Sequence, residues 1–284
     1  MAAFEKTIIK LPSAHPDWNL DVWQYLPTAP PAARLPVIVM AHGFGADKTM
    51  GLAPYAEAFA GAGYASLVFD YRRWGTSDGT PRHMLIVRDQ LDDYRTVIEY
   101  ARQQLQFDPQ RVPSVNAVAA LAQCPYTGTI PSQRLGATYF KIVAAAALDT
   151  AKQAMGLAPE YIPTVAEPGA VGALTTEGTV AGMLAIVAQD SPWNNKIAAS
   201  SLLQVGPYNP RAKAAQIACP LLIVLPVEDN LTPPAGAWEI AKAVPEKCEL
   251  VELQCGHFAV YPGLAHHRES LAAQMAFLAK HVPI

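Results

Sequence analysis

LPVIVMAHGFG, residues 35–45, is an apolar run that ends in glycine. Val, Ile and Met follow one another with no polar residue before His42. That is the pattern of a strand buried on both faces of a parallel sheet, where an alternating pattern would leave one face to water. Working outward, residues 51–62 read as a helix closed by Gly61 and Gly63. ASLVFDYR, residues 65–72, is a second buried strand, and Asp78 to Pro81 is a turn. Residues 85–105 place Ile86, Leu91, Tyr94, Val97, Ile98 and Ala101 at helical spacing. Strand, helix, strand, helix predicts an α/β fold with a mostly parallel sheet, flanked by helices and joined by right-handed crossovers. Upstream, residues 5–11 and 19–26 alternate polar and apolar around a turn-rich gap, which predicts an N-terminal antiparallel hairpin.

The second half opens with a short apolar stretch, VNAVAALAQC, residues 115–124. The Ala-rich region 127–210 has helical pattern near 137–157 and 177–188 and no parallel strand, so it reads as a helical insertion. CPLLIVLPVEDN, residues 219–230, is a buried strand with acids at its carboxyl end. Residues 235–244 are helical, KCELVELQCGH (247–257) is the last strand, and 264–281 is a closing helix. The expected division is a core of 1–126 and 211–284 interrupted by the insertion 127–210.

The composition fits a soluble enzyme-like chain. Of 284 residues, 51% are hydrophobic and 16% charged, which supports a large core and excludes the disordered class. A formal charge of -3 argues against nucleic acid or an anionic membrane surface as partner. No stretch gives about 18 charge-free apolar residues for a membrane span. The first residues carry no apolar core of a secretory signal. Cys124, Cys219, Cys248 and Cys255 form no C-x-x-C pair and sit beside apolar sequence, so reduced buried thiols, no metal and a cytoplasmic setting are expected. Oligomeric state is unreadable.

In open α/β sheets, ligands bind beyond the carboxyl ends of the strands. There stand His42, Gly43, Phe44 and Gly45, then Asp70, Tyr71, Arg72 and Arg73, then Glu228 and Asp229, and finally Gly256, His257 and Phe258. An acid followed by a histidine at the next strand end suits a base whose tautomer a carboxylate fixes. One G-x-S-x-G match exists, Gly75 to Gly79 around Ser77. A nucleophile elbow needs a strand running into the first glycine and a helix leaving the serine. Here YRRW intervenes and Asp78-Gly79-Thr80-Pro81 is a turn, so Ser77 is expected to be a loop residue near the pocket.

HGFG, FDYRRWGTSDGTPR, CPLLIVLPVEDNLTPP and CGHF together resemble the α/β-hydrolase superfamily, in particular X-Pro dipeptidyl-peptidase-like hydrolases and fungal polyketide transferases. The resemblance spans most of the chain outside 127–210. It implies acyl transfer on an ester, thioester or amide through a Ser-Asp-His triad, with a small acyl substrate and no cofactor. His257 would be the base and Asp229, rather than its neighbour Glu228, the acid. The Phe44 N–H would be an oxyanion donor. His42, Gly43 and Tyr71 would line the pocket, and 127–210 would form a helical cap.

The nucleophile is what the resemblance lacks. In such relatives the elbow follows the helix that here spans 85–105. The text leading to it, FDPQRV (107–112), is present. The text after it, PSVNAVAALAQCPYTG, resembles the strand beyond the elbow helix. The chain thus steps from Val112 to Pro113 over a strand–elbow–helix unit, a deletion such as a skipped or mis-assigned coding segment would leave. The missing strand would lie between 35–42 and 115–122. The alternative takes 115–122 as the elbow strand with Cys124 as nucleophile, although Pro125 follows at once and Ser114 precedes the strand. Two functions follow: a hydrolase or acyltransferase impaired in this chain, or a pseudo-hydrolase that binds a small acyl ligand. Of the other residues, His83, His266 and His267 are expected to be exposed, and Trp193 and Trp238 to pack. Arg72 and Arg73 read as surface charges or loop ties.

Overall fold

The computed structural model describes residues 4–28, 34–112, 114–116, 137–205 and 208–284. The hairpin is β1 (Phe4–Pro12) against β2 (Asn19–Pro27). The apolar runs form β3 (Val37–Ala41) and β4 (Ala65–Phe69), joined by α1 (Ala53–Gly61). β2 pairs antiparallel with β4, and β4 parallel with β3. After α2 (Val87–Gln103) comes β5 (Ser114–Asn116), giving the order β1-β2-β4-β3-β5.

Why β3 has no polar face is plain from its neighbours. Val37, Val39 and Ala41 pack on one side with Leu67, Phe69, Val97 and Ala101, the last two from α2. Ile38 and Met40 pack on the other with Val68 and with Tyr55, Ala56 and Phe59 of α1. Successive side chains of a strand point to opposite faces, so helices on both faces demand an unbroken apolar run.

The region beyond β5 contains α3 (Ala137–Ala154), α4 (Thr179–Ile186) and α5 (Ser201–Val205). A two-residue antiparallel pair, β6 (Tyr161–Ile162) with β7 (Ile197–Ala198), is a strand feature that sequence reading did not anticipate there. It is too short to show a period. Then follow β8 (Leu221–Pro226), α6 (Ala235–Ala243), β9 (Cys248–Leu253) and α7 (His267–His281). β8 and β9 pair parallel as a separate two-stranded sheet among the described residues. No described helix is long and apolar enough to cross a membrane.

No open gap stands beside β3, since the strand at 114–116 hydrogen-bonds directly to it, with Met40 opposite Val115. Closing onto β3 satisfies backbone groups that an open edge would leave unpaired. Cys219 departs from expectation, since it is exposed, whereas Cys255 is buried; both are free thiols, as is Cys248.

Candidate active site

Three strand ends meet at one cavity. β8 leads to Asp229 and β9 to His257, which opens a short 3-10 turn, His257–Val260. His257 Nδ1 lies 2.7 Å from Asp229 Oδ2. The carboxylate is buried, and its position is over-determined. Oδ1 accepts from the N–H groups of Leu231 and Thr232 at 2.8 Å each, and Oδ2 accepts from the Thr232 hydroxyl at 2.7 Å. Burial pushes this carboxyl up, but the bond and charge of His257 and the Thr232 donors outweigh it and hold it below the usual range. An ionised Asp229 selects the tautomer with the proton on Nδ1 and leaves Nε2 as the basic nitrogen. Glu228, the sequence competitor, makes no contact with His257; its N–H bonds the Cys255 carbonyl.

The third strand end is β3, which runs into His42-Gly43-Phe44. Gly43 and Phe44 line a cavity of about 70 Å³ together with Ala46, Leu174, Met183, Ile186, Leu231, Thr232, His257, Phe258 and Tyr261. A trans peptide points its C=O and N–H in opposite directions. The Gly43 carbonyl is occupied by His42 Nδ1–H, at 3.0 Å, so the Phe44 N–H faces away from His42. It finds no protein acceptor among the described residues. Such an N–H can donate to a developing oxyanion.

Two expected pocket residues do not line the cavity. His42 and Tyr71 are buried and face each other edge to face, with ring centroids 4.9 Å apart. Tyr71 packs on with Phe69 and Tyr94 in the core under the loop. Burial holds the His42 imidazole neutral despite the nearby Asp70 carboxylate. His42 supports the loop from below and does not reach the ligand side.

Ser77 is a loop residue. Its hydroxyl donates to the Asp70 carbonyl at 2.6 Å and accepts from the Asp21 N–H at 2.8 Å. The glycines of its G-x-S-x-G text serve this loop. Gly75 has φ 47°, and a Cβ there would lie 2.1 Å from Asp70 Oδ2. Ser77→Ala is expected to cost about 1–3 kcal/mol, because it strands a buried backbone donor and acceptor. Urea unfolding would measure this, and a neutral change would refute the structural role. Cys124 lies outside the described residues, and Ser114 is a residue of β5 itself. No serine or cysteine is among the described residues lining the cavity.

Other singled-out residues are structural. Arg72 pairs with the buried Asp93 at 2.6 Å, and Arg73 pairs with Asp89. Both tie the β4 loop to α2. His83, expected to be exposed, is half-buried against Trp74, and burial lowers its pKa to about 4. His267 is also partly buried, edge-on to Tyr55. Trp238 donates to Glu252 at 2.5 Å. Sequence reasoning missed the apolar wall from Leu174, Met183 and Ile186. It also missed Gly182, where a Cβ would lie 2.1 Å from the Phe258 ring. That missing side chain lets α4 come down flush against the residue beside His257.

An acid–histidine pair at the ends of parallel β8 and β9, facing the Gly-containing turn that ends β3, marks a class of fold, and comparison with known proteins agrees: the chain belongs to the α/β-hydrolase superfamily. Within it, residues 18–135 match the X-Pro dipeptidyl-peptidase (S15) family. The quorum-quenching protein AidA of Acinetobacter baumannii is 32% identical over 287 aligned positions, covering 94% of this chain and 93% of AidA. The polyketide transferase af380 of Aspergillus fumigatus is 26% identical, covering 92% and 93%. Among solved structures, the α/β hydrolase GrgF from Penicillium sp. sh18 superposes with a TM-score of 0.79 at 20% identity, over 99% of this chain and all of GrgF, a likeness of fold.

Proposed function

We propose that this chain carries the acid–base half of an acyl-transfer site for an ester, thioester or amide, and that the nucleophile elbow is deleted from it. The observation that carries the first part is the 2.7 Å Asp229–His257 bond at an apolar wall shared with Gly43 and Phe44. His257 is the base, Asp229 its orienting acid and the Phe44 N–H an oxyanion donor. The helical region 127–210 acts as a cap, since Leu174, Met183 and Ile186 close the apolar side of the cavity. The names of the relatives support acyl chemistry, since they include a polyketide transferase, a thiohydrolase and the X-Pro dipeptidyl-peptidase family. Free thiols at Cys219, Cys248 and Cys255 suit a cytoplasmic setting.

One observation supports the deletion. The AidA alignment runs over 287 positions yet covers only 94% of a 284-residue chain, so about twenty of its positions fall opposite gaps in this chain. A strand–elbow–helix unit of about that length is what the step from Val112 to Pro113 omits. A second reading, a pseudo-hydrolase that binds a small acyl ligand, is favoured by the cavity lining, which holds no described serine or cysteine.

A fluorophosphonate probe tests this. The expected result is no covalent adduct by intact-mass spectrometry. Labelling at any serine would overturn the impaired reading and the pseudo-hydrolase together. The genomic sequence between the codons for Val112 and Pro113 is the companion observation, since coding text for G-x-S-x-G there identifies a longer active form.

A further inference from the structure

The loop that carries the Phe44 N–H is held from two sides. From below, the core grips it through His42 and through the Lys48 N–H, which donates to Asp70 at 2.7 Å. From above, it is gripped by a segment far away in sequence. The Trp193 indole N–H donates to the Gly45 carbonyl at 2.8 Å. The Ser191 hydroxyl donates to Asp47 Oδ2 at 3.0 Å, and Thr49 Oγ1 lies 2.7 Å from it. Asp47 is buried, at 1% exposure, and also accepts from the Thr49 N–H at 2.8 Å. The Thr164 methyl sits where a Gly45 Cβ would be, 2.3 Å away, so the loop can lie against Thr164 only as glycine. Gly45 also has φ 66°. The neighbouring Asn195 side chain in turn fixes Val165, accepting from its N–H at 2.9 Å and donating to its carbonyl at 3.0 Å. The upper grip is therefore a braced unit and not a single contact.

We infer that Trp193 and Ser191 form a clasp by which the helical region positions the Phe44 N–H, so that oxyanion stabilisation depends on the same region that shapes the acyl cavity. This rests on the reading of Phe44 as an oxyanion donor. The physical reason is leverage. Gly45 and Asp47 flank Phe44 closely, and at Gly45 the chain has no Cβ to help choose one backbone conformation. Two long-range polar contacts on its outer side supply that choice. Trp193 also packs its ring into the apolar cluster that contains Met183 and Ile186, two residues of the cavity wall. A displacement of this region thus loosens the donor and opens the wall in one movement. Trp193 is a positioning residue, because its N–H touches the loop and not the ligand.

The test compares the purified full chain with Trp193→Phe, which keeps an aromatic ring and removes the N–H, and with Ser191→Ala. Backbone hydrogen exchange reads the loop, and titration with octanoate and its neutral counterpart octanol, followed through the Phe44 amide resonance, reads the donor. In Trp193→Phe, amides of residues 43–48 should exchange roughly tenfold faster or more, the effect expected when about one hydrogen bond is lost, while amides of α1 and α2 keep their protection. The octanoate dissociation constant should rise by roughly fivefold to tenfold on the same grounds, with octanol binding unchanged and the Phe44 shift on octanoate reduced. Ser191→Ala should move both readouts in the same direction, more weakly. Unchanged exchange across 43–48 in both variants would overturn the clasp. Equal weakening of octanoate and octanol would also overturn it, since that is what loss of packing alone does. A wild-type Phe44 resonance that ignores octanoate would refute the oxyanion reading, and the exchange arm would still decide whether the clasp holds the loop.

Discussion

Lys48→Met is expected to lower the unfolding free energy by about 3–5 kcal/mol, the range for removing one partner from a buried ion pair. Lys48 is 1% exposed, and its ammonium lies 2.7 Å from Asp21 and 2.6 Å from Asp70. It also donates to the Thr76 hydroxyl at 2.6 Å and stands 5.0 Å from the Trp23 ring centroid. Without it, two carboxylates stay in one buried site, and only Lys10 remains as a cation on Asp21, at 2.9 Å. Burial pushes the Asp21 carboxyl up, but the bonds from Lys48 and Lys10 outweigh it, so its folded pKa lies below the ordinary value of 3.8. Deleting Lys48 removes the largest of those compensations. Urea denaturation at pH 7 reads the loss as a lower midpoint. A change under about 1 kcal/mol would mean that the network is worth no more than an exposed ion pair. Asp70→Asn should also destabilise the fold, because the Lys48 N–H bonds Oδ1 at 2.7 Å and the Thr76 N–H bonds Oδ2 at 2.9 Å, and Asn can accept from only one of them while its NH2 faces the other.

That network shows where sequence reading stopped. The strands were legible because burial on both faces leaves an unbroken apolar run, as in Val37–Ala41, and the hairpin was legible because one face alternates. Asp229 and His257 could be placed together because they lie a few residues past the ends of β8 and β9, where ligands bind in open α/β sheets. Lys48 was not. A lysine in a polar loop reads as solvated, and its burial depends on Asp21 from β2 and Asp70 from the end of β4. The same holds for Trp193, whose partner Gly45 is 148 residues away. His42 and Tyr71 were placed on the correct loops but on the wrong side of them, since a strand-end position does not say whether a ring turns toward the cavity or beneath it. Whether the chain would close onto β3 or leave a gap there was not legible for a related reason. Strand pairing is chosen by whichever backbone partner is available, and three residues, Ser114–Asn116, carry no pattern that names one.

Inserting a strand–elbow–helix unit between Val112 and Pro113 is expected to give the largest gain of all. The inserted strand should take the edge of β3 that Ser114–Asn116 now occupies, and these residues should move out by one strand spacing, about 4.8 Å. The new serine would then stand after a strand end beside the one that leads to Phe44, and it would face the basic nitrogen of His257. Fluorophosphonate labelling should appear at that serine, and turnover of a short-chain thioester or p-nitrophenyl ester should rise by at least about 10³-fold, well within what loss of a triad nucleophile costs in a working enzyme. A control exploits the non-additivity of groups that act as a unit. In the restored protein, His257→Ala should abolish most of the gain, by about 10³-fold or more. In the present chain the same substitution should change residual turnover by less than about threefold, since a base with no nucleophile to activate contributes little. A folded insertion variant that stays unlabelled would refute the deletion at Val112–Pro113. A large His257→Ala effect in the present chain would show instead that a nucleophile is already in place.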